Sequence, residues 1–155
     1  MKLSWPNWHW IECLQLPEKK ECVLCAKQNY PTIWADGFCR VILINDQNYP
    51  GYCRVDLISH KKEMSDLFDE EKLKLMRVVF KLESLINIFL KPDKINLASL
   101  GNIIPHVHWH VIPRFKEDRH FPKSIWSELQ RISMFEDFEI SREKEFIKYL
   151  SVGLN

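Results

Sequence analysis

The chain has 155 residues, 46% of them apolar, which is enough for one good core and a size that points to one domain. With 22 basic and 21 acidic residues the net charge is +1, so nothing predicts an electrostatic nucleic-acid binder, although a compact phosphorylated ligand needs only a local site. The five cysteines are an odd number without disulfide-framework spacing; with no signal-peptide pattern and no apolar run of membrane-spanning length, reduced thiols in a cytoplasmic protein are expected.

Residues 1–21 form an aromatic lead with Trp5, Trp8 and Trp10 and no clear periodicity. Residues 22–115 carry the main domain, and 116–155 read as a C-terminal extension packed on it. From 32 to 46 the pattern predicts a strand, a turn at Asp36-Gly37 and a second strand. Asn48-Tyr49-Pro50-Gly51 marks the next turn. Residues 52–59 read as a third strand, with Arg54 and Asp56 alternating against Val55 and Leu57. The clearest helix covers 66–90. Asp69 suits its N-cap, Glu70 and Glu71 its first turn, and Pro92 stops it. Leu73, Met76, Val79, Phe80, Leu82, Leu85, Ile86 and Phe89 recur along it at helical spacing. A fourth strand at 94–100, a bend at Gly101-Asn102 and a fifth strand at 107–112 follow. Beyond Pro113 the chain is loop-rich through Phe121-Pro122, then a short helix around 124–132 and a last one at 141–150, opened by Ser141, are expected. Antiparallel strands with one long helix make an α+β fold.

The fifth strand carries His106-Val107-His108-Trp109-His110-Val111-Ile112-Pro113-Arg114. In a strand, residues i, i+2 and i+4 share a face. His106, His108 and His110 therefore line one side, while Val107, Trp109 and Val111 anchor the other in the core. Strand rise alone would set successive imidazoles about 6.5–7 Å apart. That row suits a nucleophile flanked by two helpers, or a partial metal cage. His-x-His on a strand can also ligate zinc or iron, but three neutral ligands without a nearby carboxylate make a poor hydrolytic metal site.

The alternation of histidine with apolar residues, preceded by Gly101-Asn102 and followed by Pro113-Arg114, resembles the signature of the histidine triad (HIT) superfamily of nucleotide hydrolases and transferases. The resemblance runs from residue 22 to about 115: two early strands, the Pro50-Gly51 turn, a strand ending at Ser59-His60, the long helix and a strand leading into the triad. It implies a HIT-like antiparallel sheet of about five strands, with the long helix and a C-terminal helix. It also implies attack on a nucleotide α-phosphorus by the middle histidine, His108, through a covalent nucleotidyl-histidine intermediate. A neutral imidazole keeps a lone pair for such an attack, and covalent capture divides one hard displacement into two easier ones. His110 would hydrogen-bond the phosphate and assist proton transfer to the leaving group. His106 would complete the catalytic set. Nucleotide contacts map to Asn102, to Asp46 with Asn45 as the competing position, and to Asn96. The substrate would be a dinucleoside polyphosphate or nucleoside phosphoramidate, with a purine nucleotide favoured, and the assembly a homodimer for which the Trp-rich lead and long helix offer apolar surface. Two departures stand out: Tyr52 occupies the place where many members carry a fourth histidine, and Asn102 replaces the usual glutamine.

Cys22-Val-Leu-Cys25 is by itself a moderate zinc signal, with no second CxxC to complete it. Some HIT proteins pair such a motif with a histidine after the third strand and with the first triad histidine. Carried over, the ligands are Cys22, Cys25, His60 and His106, a Cys₂His₂ structural zinc site that the chemistry itself does not need. The plain alternative is two ordinary buried thiols. Cys13, Cys39 and Cys53 have no partners by spacing. Trp109 is expected in the core. Arg114 either contacts phosphate or is solvated or paired. The run Arg119-His120-Phe121-Pro122 with Trp126 either folds over the pocket or covers the core. Ile33, Phe38, Val41 and Leu43 suit the walls of a base pocket or ordinary packing.

Three readings follow: a HIT hydrolase working through His108, a catalytically weak nucleotide-binding or interaction module stabilised by zinc, and a metal-dependent enzyme using the three histidines as ligands.

Overall fold

Five strands and two helices form in a computed structural model that describes residues 22–26, 31–44, 46–132 and 140–155. The aromatic lead at 1–21 (Cys13 included) and Asn45 lie outside the described residues. The strands are β1 (Thr32–Ala35), β2 (Cys39–Leu43), β3 (Cys53–Leu57), β4 (Lys94–Ala98) and β5 (His108–Arg114); the helices are α1 (Asp69–Leu90) and α2 (Ile140–Leu154). The expected α+β class and the five-stranded antiparallel sheet are both present. The order is β1-β2-β3-β5-β4, and every pairing is antiparallel. Both β3 and β4 run against β5, so α1 carries the chain across the sheet and leaves a slot that β5 fills.

The turns form where punctuation residues stand. Asp36 accepts the N–H groups of Phe38 and Cys39, each at 3.0 Å, and Gly37 takes φ +80°. Gly51 takes the same φ, and a Cβ there would meet Leu90 Cδ1 at 2.3 Å, so this turn needs glycine for both backbone and space.

Period-two alternation gives the sheet two faces. One face, with Cys39, Val41, Leu43, Cys53, Val55, Leu57, Ile95 and Val111, packs under the helices together with Ile33. Ile33, Val41, Leu43 and the half-buried Phe38 thus serve packing, not a base pocket beside the histidines. The buried seam of α1 is Leu75, Val79, Leu82, Ile86 and Leu90. Leu73 and Phe80 are exposed instead, because α1 is apolar on more than one side and only one side can face the sheet. α1 starts at Asp69, three residues after the expected 66, with Phe68 in place of Asp69 as N-cap and its N–H donating to Glu71 at 2.9 Å. It ends on Lys91 in the left-handed conformation, just ahead of Pro92. α2 packs on α1 and β1 through Phe146, Leu150 and Leu154.

The short helix expected at 124–132 does not form; turns and irregular chain replace it. Its end bonds outward instead: the Gln130 and Arg131 N–H groups donate to the Arg119 carbonyl, and the Arg131 side chain donates through Nη1 to the carbonyls of Lys116, Asp118 and Phe121. Long-range partners outcompete local helix bonds here.

Candidate functional site

The second sheet face carries the chemistry. Register sets His108 opposite Asp56 and His110 opposite Arg54, with Ala98 on the other side of His110 and Asn96 opposite Ile112. Directly opposed residues share a face, so Asp56, Arg54, Asn96 and Ala98 join the histidines. β5 starts at His108 rather than before it, so His106 precedes the strand. The His108 and His110 rings meet edge to face with centroids 4.8 Å apart, closer than strand rise alone would set them. The His106 ring turns instead toward Cys22, Cys25 and His60.

His108 Nδ1–H donates to the His106 carbonyl at 2.6 Å. That bond selects the tautomer and leaves the Nε2 lone pair available. Burial pushes the His108 pKa below 6.5, aided by the Arg54 guanidinium and opposed by the bond to His106 and by Asp56. His110 is pushed down further, to about 4, by burial, by His108 and by Arg54. Both imidazoles are therefore neutral at pH 7. Tyr52, buried beside Tyr49 and Ile112, places its hydroxyl 2.5 Å from His110 Nδ1. Trp126 approaches the same ring edge-on at 5.3 Å.

Beneath the pair lies a charge cluster that the chain order does not reveal. Asp56 is fully buried and accepts from Arg54 Nε at 2.6 Å and Nη2 at 3.1 Å, and from Arg40 Nη2 at 3.3 Å. Arg40 Nη2 also donates to the Leu24 carbonyl at 2.7 Å, tying the CxxC loop to the sheet. The alternation of Arg54 and Asp56 on an otherwise apolar strand was the available signal. That Arg40 faces Asp56 follows only from the β2–β3 register.

Cys22, Cys25, His60 and His106 each offer one ligand atom, and all four atoms lie within 4.8 Å of one another. His106 Nδ1 lies 3.4 Å from Cys22 Sγ, 3.5 Å from Cys25 Sγ and 3.2 Å from His60 Nδ1, and His60 Nδ1 lies 3.3 Å from Cys25 Sγ. Tetrahedral bonds of about 2.0 Å to nitrogen and 2.3 Å to sulfur would give N–N edges of about 3.3 Å and N–S edges of about 3.5 Å. The donor set and its spacing fit a metal ion. His106 Nε2–H donates to the Leu57 carbonyl at 2.8 Å, which directs the Nδ1 lone pair into the cluster, the usual second bond of a metal-ligating histidine. The three triad rings form no common ligand set among the described residues.

The expected nucleotide contacts fall in three places. Asn96 lines a cleft of about 540 Å³ with Ala98, Ile112, Ser124, Ile125 and Trp126. Its Oδ1 accepts from Arg114 Nη1 at 2.6 Å. Asp46 sits in the β2–β3 connection, where its Oδ1 accepts the Asn48 N–H and side-chain amide. Asn102 is exposed in the bend before His106. Arg114, only 1% exposed, is paired: it holds Asp118 at 2.7 and 2.9 Å and donates to the Lys123 carbonyl. That clamp folds the segment after β5 back over the sheet and brings Trp126 to His110. Trp109 is half-buried against the core, as expected of its face, with its indole N–H unpartnered among the described residues.

A family model described as HIT domain matches residues 27–117. Among solved structures, the chain is similar to a histidine triad protein of Bradyrhizobium japonicum, with a TM-score of 0.69 and 25% identity over 81% of this chain and 91% of that one. A histidine triad protein of Marinobacter aquaeolei gives 0.66 and 22% over 81% and 88%. A hypothetical histidine triad nucleotide-binding protein of Sulfolobus tokodaii gives 0.60 and 18% over 86% and 91%. The latter two likenesses speak for the fold. No curated protein matches.

Proposed function

The chain belongs to the HIT domain family, and on that basis we propose that it hydrolyses a nucleotide phosphoanhydride or phosphoramidate bond through a nucleotidyl-His108 intermediate. The observation that carries this reading is the 2.6 Å bond from His108 Nδ1 to the His106 carbonyl, which frees Nε2 on a neutral ring. In the first step Nε2 bonds to the α-phosphorus as the bond to the leaving oxygen or nitrogen breaks, and His110 supplies the proton the leaving group needs. Water then attacks the same phosphorus, its proton passes to His110 to restore that ring, and the P–N bond breaks to release the nucleotide and the His108 imidazole. Asn96 borders a cleft of small-molecule volume whose lining holds neither His108 nor His110 but includes Trp126, which touches the His110 ring. Asn102 serves the α-phosphate and Asp46 the ribose of a purine nucleotide, a dinucleoside polyphosphate or nucleoside phosphoramidate being the substrate class.

Zinc suits the Cys22, Cys25, His60 and His106 cluster, where it would supply structural cross-linking and no step of the reaction. Two copies would associate through the exposed Leu73, Phe80 and Ile88 of α1 and through β4, the outer strand of the sheet among the described residues. Reduced thiols suit the cytoplasm.

The test is a trap. Wild-type protein is incubated with several adenylyl donors and read by intact mass for a nucleotide on His108. We expect the adduct in wild type and none in His108→Ala, whose turnover is lost while nucleotide binding largely survives. Full activity in His108→Ala would exclude the covalent route. Wild-type protein that binds AMP yet turns over none of the donors would favour the binding-module reading instead.

A further inference from the structure

Tyr52 stands where a fourth imidazole is common, and the geometry gives it work that a spacer would not do. Its ring is buried against Tyr49 and Ile112 on the histidine face of the sheet, and its hydroxyl reaches His110 Nδ1 at 2.5 Å. A neutral imidazole can protonate either nitrogen, and the partner of one nitrogen decides which. A phenol ordinarily holds its proton to about pH 10 and an imidazole to about 6.5. The phenol is the stronger acid and the imidazole nitrogen the stronger base, so of the two arrangements open to this pair the one in which the Tyr52 O–H donates and Nδ1 accepts is favoured. The ring's one proton is then left on Nε2, on the side away from Tyr52.

We propose that Tyr52 is a positioning residue that holds His110 as a fixed Nε2–H donor, so that the ring beside the nucleophile presents a proton rather than a lone pair. Its catalytic consequence rests on the reading of His108 as nucleophile; the tautomer is a property of the free protein. The surroundings support the assignment. His108 stands 4.8 Å from His110 between ring centroids, with its own Nδ1–H spent on the His106 carbonyl. Arg54, opposite His110 in register and paired with Asp56, supplies positive charge that disfavours a second proton on the ring. Trp126 covers a further side. A donor held in one orientation needs no rearrangement when charge develops on the leaving atom.

Imidazole ¹⁵N NMR at pH 7 on the protein as purified, with Tyr52→Phe beside wild type, tests this directly. Wild type should show His110 as the single Nε2–H tautomer. Tyr52→Phe, which keeps the ring packing and removes only the hydroxyl, should show exchange between both tautomers. In turnover, Tyr52→Phe should lose about tenfold or more in kcat with KM little changed. An Nδ1–H tautomer in wild type, or an unchanged His110 spectrum in Tyr52→Phe, would overturn the proposal. The wild-type spectrum decides it even if the variant folds poorly. Absence of an adduct on His108 would count against the nucleotidyl-transfer reading and leave the tautomer standing.

Discussion

Burial, the neighbouring His108 and the Arg54 guanidinium together hold His110 at about 4, far below the 6.5 of a free imidazole, with Asp56 opposing. A folded-state pKa below the unfolded one means that the unfolded chain binds the proton more readily. His110 therefore contributes stability that is fully present above about 6.5 and is lost as pH falls from there toward 4. His106 and His108 are also lowered by burial and act in the same direction. Burial raises Asp118, but its bonds from Arg114 and from the His120 and Phe121 N–H groups outweigh that and leave it below 3.8, so its contribution fails only at lower pH. Denaturant midpoints measured between pH 7 and 4 should fall with pH, and His110→Gln should flatten part of that slope. A midpoint that rises on acidification would contradict the burial argument. The histidines' neutrality was foreseeable from a half-buried strand, but the size of the His110 shift was not, since it needs first the depth of burial the fold gives that ring, then the close approach of His108 and of Arg54 on the neighbouring strand.

Between elements, Asp56 links three pieces of chain. It accepts from Arg54 on its own strand and from Arg40 across the β2–β3 ladder, and Arg40 continues to the Leu24 carbonyl in the CxxC loop. Removing Asp56 takes away the one carboxylate that both arginines share and leaves their buried positive charge uncompensated. Asp56→Ala should cost about 3–5 kcal/mol in urea unfolding. Replacing Arg40, Asp56 and Arg54 together by apolar residues of similar volume should cost much less, because no orphaned charge remains. Equal losses in the two variants would mean that the trio contributes packing rather than charge balance. Element identities were largely legible: period-two runs became β1 to β5, and the helical spacing before Pro92 became α1. The seam of α1 was not, because its apolar residues cover more than one face and only the sheet selects among them. The failed helix at 124–132 has the same kind of cause, since the Gln130 and Arg131 N–H groups and the Arg131 side chain find partners at 116–121.

At the scale of the whole molecule, the cluster of Cys22, Cys25, His60 and His106 joins distant parts of the chain, with Cys22 and His106 84 positions apart. Metal bound there counts as folding free energy, because the unfolded chain has no formed site. Purified protein should contain about one zinc per chain by elemental analysis. Cys22→Ser with Cys25→Ser should remove it and lower the thermal midpoint, and chelation of wild type should reproduce that loss. Metal content unchanged in the double variant would refute the ligand set. The chain order by itself determined which stretches alternate with period two and which wind as helix, where they turn, and that His108 and His110 project from one side of a strand. Each of those depends on neighbours a few positions away. Only the tertiary structure decided that His106 turns to the cysteines while its carbonyl orients His108, that Asp56 lies between two arginines, and that Tyr52 meets His110. Those pairings join residues distant in the chain, and strand register and buried hydrogen bonding choose them, which local periodicity does not encode.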